Sequence, residues 1–261
     1  MTESPAMPQP TAFKDHFSGH AASYTLFRPS YPKDLFAFLA TQAPARGRAW
    51  DCATGNGQAA VDLAEQFDEV VATDASQRQI DHARQHPRVR YQVAPAETVP
   101  IADASVDLTT VAQALHWFDL PRFYAEVRRV SRPGAVLAVW TYNLLRLDPE
   151  LDRLIDVLYY ETVGPYWPAE RHHVDTEYRE LPFPFPELPH PDFAMTATWG
   201  LDQLLGYLAT WSGVQRCRQQ TGLDAVAEAA PALSAAWGDP AASRLVRWPL
   251  AVRLGRVDGN S

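Results

Sequence analysis

The stretch AWDCATGNGQAAVDLA, residues 49–64, decides how this chain is read. A short apolar run ends in an acidic residue, Asp51. Gly55 and Gly57 follow, spaced one apart, and then a helical pattern begins. Glycine permits positive φ and close approach of the backbone, and a helix N-terminus offers unpaired N–H groups and positive partial charge. Strand, glycine turn and helix in that order cradle a nucleotide-like group. Gly55, Gly57 and Ala60 satisfy G-x-G-x-x-A, and Asp74 ends the next strand-like run, where a carboxylate accepts hydrogen bonds from ribose hydroxyls. On that motif alone a nicotinamide dinucleotide and any other ribose-bearing cofactor stand level. Asp51 helps to decide between them. A carboxylate beside the ligand repels a pyrophosphate and favours an ammonium or sulfonium group.

Outward from this loop the chain alternates strand-like and helix-like segments. RAWDC is strand-like and residues 58–67 are helical; EVVATD is the second strand, and Ser76 with Gln79 three residues on forms a capping box that starts a helix. VRYQVA and VDLTTVAQ are the next two strands. Asp119 caps a helix with Phe123, Val127 and Val130 on one face, ended by Pro133 and Gly134, and AVLAVW is a fifth strand. Apolar strands interleaved with amphipathic helices predict an α/β fold, a Rossmann-like, doubly wound, mostly parallel sheet covered on both faces. Beyond Trp140 the rhythm changes. Residues 148–164 read as a helix, residues 165–191 have no clear period, helical patterns run over about 201–237, and RLVRWPLAVRLGRV looks like a closing strand. The second half therefore reads as insertions plus the last strands of one sheet.

The resulting division is a polar, proline-rich disordered tail (1–12), N-terminal lid helices (13–46), a cofactor-binding core (47–142), a helical and loop insertion shaping the acceptor pocket (143–245) and a final strand of the core sheet (246–258). The 261 residues are 46% hydrophobic and 21% charged, enough to bury a full core. A net charge of −8 with no run of Lys or Arg argues against a nucleic-acid partner. Two cysteines, Cys52 and Cys217, have no CxxC spacing, which suits a reducing compartment and no structural zinc. No basic n-region precedes an apolar stretch and no apolar run spans a membrane, so the expectation is a cytoplasmic protein without a membrane partner.

Here the residues resemble a known family. DCATGNGQ is similar to motif I of the class I S-adenosylmethionine-dependent methyltransferases, and VVATD to their second motif. APAETVPIADASVDLTTVAQALHWFD looks like the adenine-side loop and fourth strand, and VRRVSRPGAVLAVW like the helix and strand that follow. YTLFRPSYP and AQALHWFD together resemble the branch that includes trans-aconitate-type small-molecule methyltransferases. The resemblance implies a seven-stranded sheet, S-adenosylmethionine as cofactor and S-adenosylhomocysteine as product. It places Asp51, Ala53, Gly55 and Gly57 on the methionine part, Asp74 and Ala75 on the ribose, Ala96 and Glu97 in the adenine loop, and Gln113 beside the methionine moiety. Two positions depart from the pattern. Ala53 replaces the first glycine of the motif, which a methyl group tolerates if φ is negative there, and Pro95 stands where the family often has an aspartate.

Methyl transfer from a sulfonium is an in-line displacement, so positioning and exclusion of water supply most of the acceleration. A carboxylate nucleophile needs no base; a hydroxyl or protonated nitrogen does, and His116 is the candidate because neutral imidazole is available near pH 7. Tyr24 joins it as a catalytic candidate, and Tyr24 and Arg28, in the segment that by resemblance folds over the cofactor, are candidate cofactor ligands. Tyr31, His116, Trp117, Trp140, Tyr142 and Trp199 are candidates to wall a small-molecule acceptor pocket, although aromatics are core residues first. His172, His173 and His190 lack neighbours at ligand spacing, and no metal is expected. Two alternatives stay open: an S-adenosylmethionine-binding protein weakened by Ala53 and Pro95, and an NAD-dependent oxidoreductase. The second lacks a Tyr-x-x-x-Lys, since the only lysines are Lys14 and Lys33. The quaternary expectation is a monomer or homodimer.

Overall fold

Residues 29–257 are described by the structure, a computed structural model. Five strands run parallel: β1 (Arg48–Cys52), β2 (Glu69–Asp74), β3 (Val89–Val93), β4 (Val106–Ala112) and β5 (Ser131–Tyr142). Two more, β6 (Phe193–Trp199) and β7 (Arg244–Arg256), complete a single sheet in the order β3-β2-β1-β4-β5-β7-β6, with β7 antiparallel to both neighbours. The central strands are apolar along their length because both faces are covered. Alternate side chains divide between two cores: Ala49, Val70, Val136 and Ala138 face one way, and Trp50, Val71, Leu137 and Val139 the other.

The first core lies under α1 (Lys33–Gln42) and α2 (Gln58–Ala64), whose Leu35, Phe36, Leu39, Ala60 and Leu63 are buried. The second lies under α4 (Leu120–Val130), reached after the short α3 (Gln77–Asp81). Both N-cap side chains read from sequence are in place, but the capping box at Ser76 is half formed, its backbone N–H donating to Asp74 Oδ1 in place of Gln79. The Ser76 hydroxyl accepts from Gln79 N at 3.4 Å, and Asp119 Oδ1 accepts from Arg122 N at 3.3 Å. Phe123, Val127 and Val130 are buried along the stripe that the periodicity marked.

Several boundaries differ from expectation, each for a local reason. The helix over 58–67 ends at Ala64 and its last residues form turns. α4 ends at Val130, ahead of Pro133, because Arg132 precedes a proline and is barred from helical ψ; β5 starts at Ser131 and absorbs Pro133 and Gly134 as an irregularity between Val106 and Leu108 of β4. The expected helix over 148–164 is α5 (Pro149–Asp156), then a π-helical turn (Val157–Thr162) and a 3₁₀ turn (Gly164–Tyr166) where Gly164 and Pro165 end the run. The unpatterned stretch 165–191 contains α6 (Arg171–Asp175). The pattern over 201–237 resolves into α7 (Leu201–Ala209), α8 (Ser212–Thr221) and α9 (Ala225–Trp237), with Gly222 in the left-handed region closing α8.

The main correction concerns the segment 143–245, expected as an insertion of helices and loops. It also carries β6, whose buried Phe193, Met195 and Trp199 alternate with less buried residues, and the final strand begins at Arg244. The β6–β7 ladder matters for the site. β5 ends at Tyr142, opposite Leu250, but β7 continues pairing with β6 from Leu250 back to Arg244. At 3.3–3.4 Å per residue the ribbon rises roughly 20 Å past the carboxyl edge of the parallel strands. Trp199, Tyr207 and Trp248 stack on it, with Trp248 Nε1 donating to the Tyr207 hydroxyl at 3.1 Å, and α5, α7 and α9 pack together beside it.

Candidate active site

The cradle after β1 is built as the glycines suggested. Gly55 has φ +57° and Gly57 +79°, both in the left-handed region, and Gly57 N donates to Thr54 O at 3.0 Å. The two glycines serve different ends. A Cβ on Gly57 would lie 2.1 Å from the Tyr91 hydroxyl, whereas one on Gly55 would meet nothing within 4 Å. Gly57 packs the loop against β3; Gly55 faces open space. Asp74 ties this loop to the end of β2, its Oδ2 accepting from Gly55 N at 2.9 Å and its Oδ1 from Ser76 N at 2.8 Å.

Ala53 contradicts the condition set for it. Its φ is +54°, so the methyl group is carried in the left-handed region and not at negative φ. Gln113, at the carboxyl end of β4, has φ +58°. Two non-glycine residues thus hold left-handed backbone at neighbouring strand ends, the kind of strain that persists where surroundings over-determine it.

Asp51 is 1% exposed and takes two side-chain hydrogen bonds, from the Thr54 hydroxyl at 2.5 Å and the Thr110 hydroxyl at 2.8 Å. Burial pushes its carboxyl up to about 6 and the nearby Asp74 charge adds to this, against the two hydroxyls that favour ionisation. Neutral donors alone surround a carboxylate that a cation would stabilise.

A second group gathers where β4 and β5 end. Gln113 Nε2 donates to Tyr142 O at 2.8 Å, and its Oε1 accepts from the Thr141 hydroxyl at 2.6 Å. His116 sits on the 3₁₀ turn Leu115–Trp117, with Nδ1 2.8 Å from the hydroxyl of Tyr178. Burial, with Arg171 and His173 nearby, pushes the imidazole down to about 4, so the ring is neutral at physiological pH. Burial likewise raises the Tyr178 phenol above its ordinary range. Beside them Arg171 donates to the Tyr159 hydroxyl at 2.6 Å and to Asn143 Oδ1 at 2.7 Å, and Asp175 accepts from both Tyr159 and Asn143. The guanidinium lies over the Tyr159 and Trp167 rings.

The other sequence candidates divide. Tyr31, Trp140 and Tyr142 form one cluster, Tyr31 edge-on to Trp140 at 5.4 Å and to Tyr142 at 6.5 Å, next to Gln113. Trp140 is fully buried and its Nε1 has no hydrogen-bond partner among the described residues. Trp117 is partly exposed and tilts against His116 at 4.8 Å. Trp199 stands apart in the β6–β7 aromatic stack. Ala75 is exposed and Ala96 buried. Glu97 is occupied by a structural task, accepting from Asp119 N at 3.0 Å in front of α4. Tyr24 and Arg28 lie outside the described residues. Thr54, Thr110, Thr141, Asn143, Tyr159, Asp175 and Tyr178 were not singled out from sequence. Thr54 and Thr110 are legible in hindsight as short hydroxyls at the ends of β1 and β4, but nothing in the aperiodic stretch marks Tyr178. Arg171 is half-buried on α6. Among the described residues no cluster of His, Cys, Asp or Glu is placed to hold a metal ion, and no helix is long and apolar enough to cross a membrane.

Comparisons with known proteins agree on one family. A model described as a methyltransferase domain matches residues 50–139. A protein of Dictyostelium discoideum that carries the name of a methyltransferase is 36% identical over 211 residues, 79% of this chain and 80% of that one. A solved structure from Anaeromyxobacter dehalogenans, named for a type II methyltransferase, is 53% identical with a TM-score of 0.86 and covers 90% of this chain and 100% of its own. A Saccharomyces cerevisiae protein named for S-adenosylmethionine-dependent methyl transfer is 28% identical over 52% of this chain and 49% of that one. These likenesses reach the family and not the trans-aconitate-type branch within it. The cradle leaves room for a cofactor: open space lies in front of Gly55, the carboxylate of Asp51 is buried in β1, and Asp74 ends β2. The chain belongs to the class I S-adenosylmethionine-dependent methyltransferases.

Proposed function

We propose that this chain methylates an oxygen or nitrogen of a small-molecule acceptor, a carboxylic acid or heterocyclic metabolite, by in-line displacement. Bound S-adenosylmethionine supplies the activated methyl group, and S-adenosylhomocysteine is the product. Asp51 takes the cofactor's ammonium group, with Ala53, Gly55 and Gly57 along the methionine part. Asp74 and Ala75 take the ribose, Ala96 and Glu97 the adenine side, and Gln113 flanks the methionine moiety. Tyr31, Trp117, Trp140 and Tyr142 wall the acceptor, and Trp199 supports the ribbon behind them.

The observation that carries the reading is the state of His116: a neutral imidazole at the carboxyl edge, its Nδ1 engaged by Tyr178 and its Nε2 without a partner among the described residues. An acceptor hydroxyl or ring N–H must shed its proton as the new bond forms, and Nε2 receives it. An imidazole of such low basicity suits acceptors whose proton is already acidic, and an acceptor that arrives as a carboxylate needs no base. The ribbon rising past the strand ends, the helices beside it and the net charge of −8 favour a small ligand over a polyanion.

The test is to incubate the protein with methyl-labelled S-adenosylmethionine and a panel of carboxylic acids, phenols and nitrogen heterocycles, reading labelled product by mass. Methylation within the panel is expected, with His116→Ala slowing turnover of a protonated acceptor about 10²-fold or more at unchanged cofactor affinity. Labelling of protein or nucleic acid alone would overturn the small-molecule reading, and an unaltered His116→Ala rate would leave His116 a lining residue.

A further inference from the structure

The glycine loop is held from two sides, and the second is remote from it in sequence. Ala53, Gly55 and Gly57 all carry left-handed backbone, at φ +54°, +57° and +79°, so the loop keeps its shape only while its surroundings enforce it. From β2, Thr73 O accepts from Thr54 N at 2.9 Å and Asp74 Oδ2 accepts from Gly55 N at 2.9 Å. Those bonds fix the first half of the loop. Asn56 and Gly57 are held from β3. Arg84 N donates to Asn56 O at 3.0 Å, and the Tyr91 hydroxyl donates to Arg84 O at 2.6 Å. The direction of the second bond is unambiguous, because a backbone carbonyl only accepts. The tip of the same phenol lies against Gly57, where a Cβ would stand 2.9 Å from Cζ and closer still to the hydroxyl oxygen. Asn56, Arg84, Tyr91 and Gly57 thus close a ring.

We propose that Tyr91 is a positioning residue for the cofactor, one that holds the glycine turn in its left-handed form before the ligand arrives. The inference is independent of the acceptor and of His116; it rests on the reading of residues 51–57 as the cofactor cradle. Tyr91 is well placed for this task. It is level with Ala72 of β2, which is itself level with Asp51 of β1, so the three side chains share one face of the sheet. The connection that carries Arg84 is also tied to the far end of α2: Arg88 Nη1 donates to Ala64 O at 3.0 Å, and His86 Nε2 lies 3.3 Å from Glu65 Oε1. β3 and the segment before it therefore grip α2 at both ends, with the phenol at the end that meets the ligand. A cofactor that finds the loop already shaped has no ordering to do. Where only a fraction of molecules has that shape, the apparent dissociation constant rises by the inverse of the fraction. Tyr91 keeps the fraction near one. The same contact explains the division of labour between the glycines: Gly57 has no room for a side chain because Tyr91 fills the space, whereas Gly55 is left to face the ligand.

The experiment needs no acceptor. Affinity of the whole protein for S-adenosylhomocysteine is measured by calorimetry, and amide hydrogen exchange over residues 53–58 is followed by mass spectrometry without ligand. Tyr91→Phe keeps the ring on Gly57 and removes the bond to Arg84 O, and should weaken binding about 3–10-fold. Tyr91→Ala removes both contacts and should weaken it about 10-fold or more. Both variants should speed exchange in the loop. Arg90→Ala breaks the exposed ion pair with Glu69 at the preceding position of β3 and controls for a general loss of strand stability; it should leave both readouts unchanged. Gly57→Ala should cost the wild type much more affinity than it costs Tyr91→Ala, where the added Cβ has room. If Gly57→Ala fails to fold, the Tyr91 and Arg90 variants decide alone. Wild-type affinity and exchange in both Tyr91 variants, an Arg90→Ala loss equal to that of Tyr91→Ala, or independent effects of Gly57→Ala and Tyr91→Ala would overturn the inference. A wild type that binds no S-adenosylhomocysteine would refute the cradle reading itself, and loop exchange that still responded to Tyr91 would then leave the phenol a brace of the fold and nothing more.

Discussion

Ala53 offers the sharpest test of the site's backbone, because the side chain is the smallest that can feel a left-handed φ. At φ +54° an L-residue costs roughly 1–2 kcal/mol relative to the right-handed region. Glycine carries none of that cost but loses about 0.4–1 kcal/mol through the larger freedom of its unfolded chain. The difference favours Ala53→Gly by about 0.5–1 kcal/mol, or ~1–4 °C in Tm for a chain of this size. Ala53→Val should move the other way by about 1–3 kcal/mol, since a β-branched residue is a true outlier there. Ala104, at φ +45° in an exposed loop after β3, is an internal control whose glycine variant should gain stability without touching the cofactor. The assay is urea unfolding at neutral pH, with m-values compared to confirm that only stability has changed. If Ala53→Gly instead loses about 0.5–1 kcal/mol, as glycine does in ordinary negative-φ backbone, the left-handed assignment and the strain argument both fall.

Gly57→Ala should destabilise by about 2–4 kcal/mol, combining left-handed strain with a Cβ forced to within 2.1 Å of the Tyr91 hydroxyl, while Gly55→Ala should cost only the strain, about 1–2 kcal/mol, and show its main effect as weaker S-adenosylhomocysteine binding in calorimetry. Asp51 has a folded-state pKa of about 6 against 3.8 unfolded, so the unfolded chain binds fewer protons between those values and stability falls as pH rises through that window. Asp51→Asn should therefore gain about 2–3 kcal/mol on wild type between pH ~4 and ~7, as measured by denaturant titration across pH; a pH-independent difference would mean that burial does not hold the proton. A bound ammonium group would draw the same proton off, so wild-type affinity for S-adenosylhomocysteine should tighten on passing pH ~6, and Asp51→Asn should flatten that dependence. Asp74→Ala should weaken cofactor binding by about 1–3 kcal/mol and also lower stability, since Gly55 N and Ser76 N lose their acceptor. Unchanged affinity would remove its ribose role.

What could be read from the chain is what local chemistry decides. β2 and β4 announce themselves as apolar runs because both faces of a parallel strand are buried, and α4 as a stripe opened by Asp119, whose carboxylate accepts from Arg122 N three residues on. The glycine loop and the acid at each strand end follow from backbone requirements that span a handful of residues. What escaped involves partners far apart in sequence. Residues 193–199 lie in a span that reads as insertion, and only pairing with β7, some fifty residues later, makes them a strand. The sign of φ at Ala53 is set by the loop's attachment to β2, where Thr54 N bonds Thr73 O, not by alanine's own preference. The bond from Asp119 N to Glu97, 22 residues apart, likewise exists only once α4 is packed in place.

The site shows the same division. The sequence by itself determined the fold family, the cofactor cradle and the presence of a histidine at the end of β4, because each rests on contiguous residues with short-range roles. Only the tertiary structure decided which atom of that histidine is engaged. His116 and Tyr178 are 62 residues apart, and the hydroxyl that meets Nδ1 arrives through an aperiodic segment with no pattern of its own. The physical reason is that a hydrogen bond's direction depends on every donor and acceptor around it, and those neighbours are assembled by packing and not by sequence order.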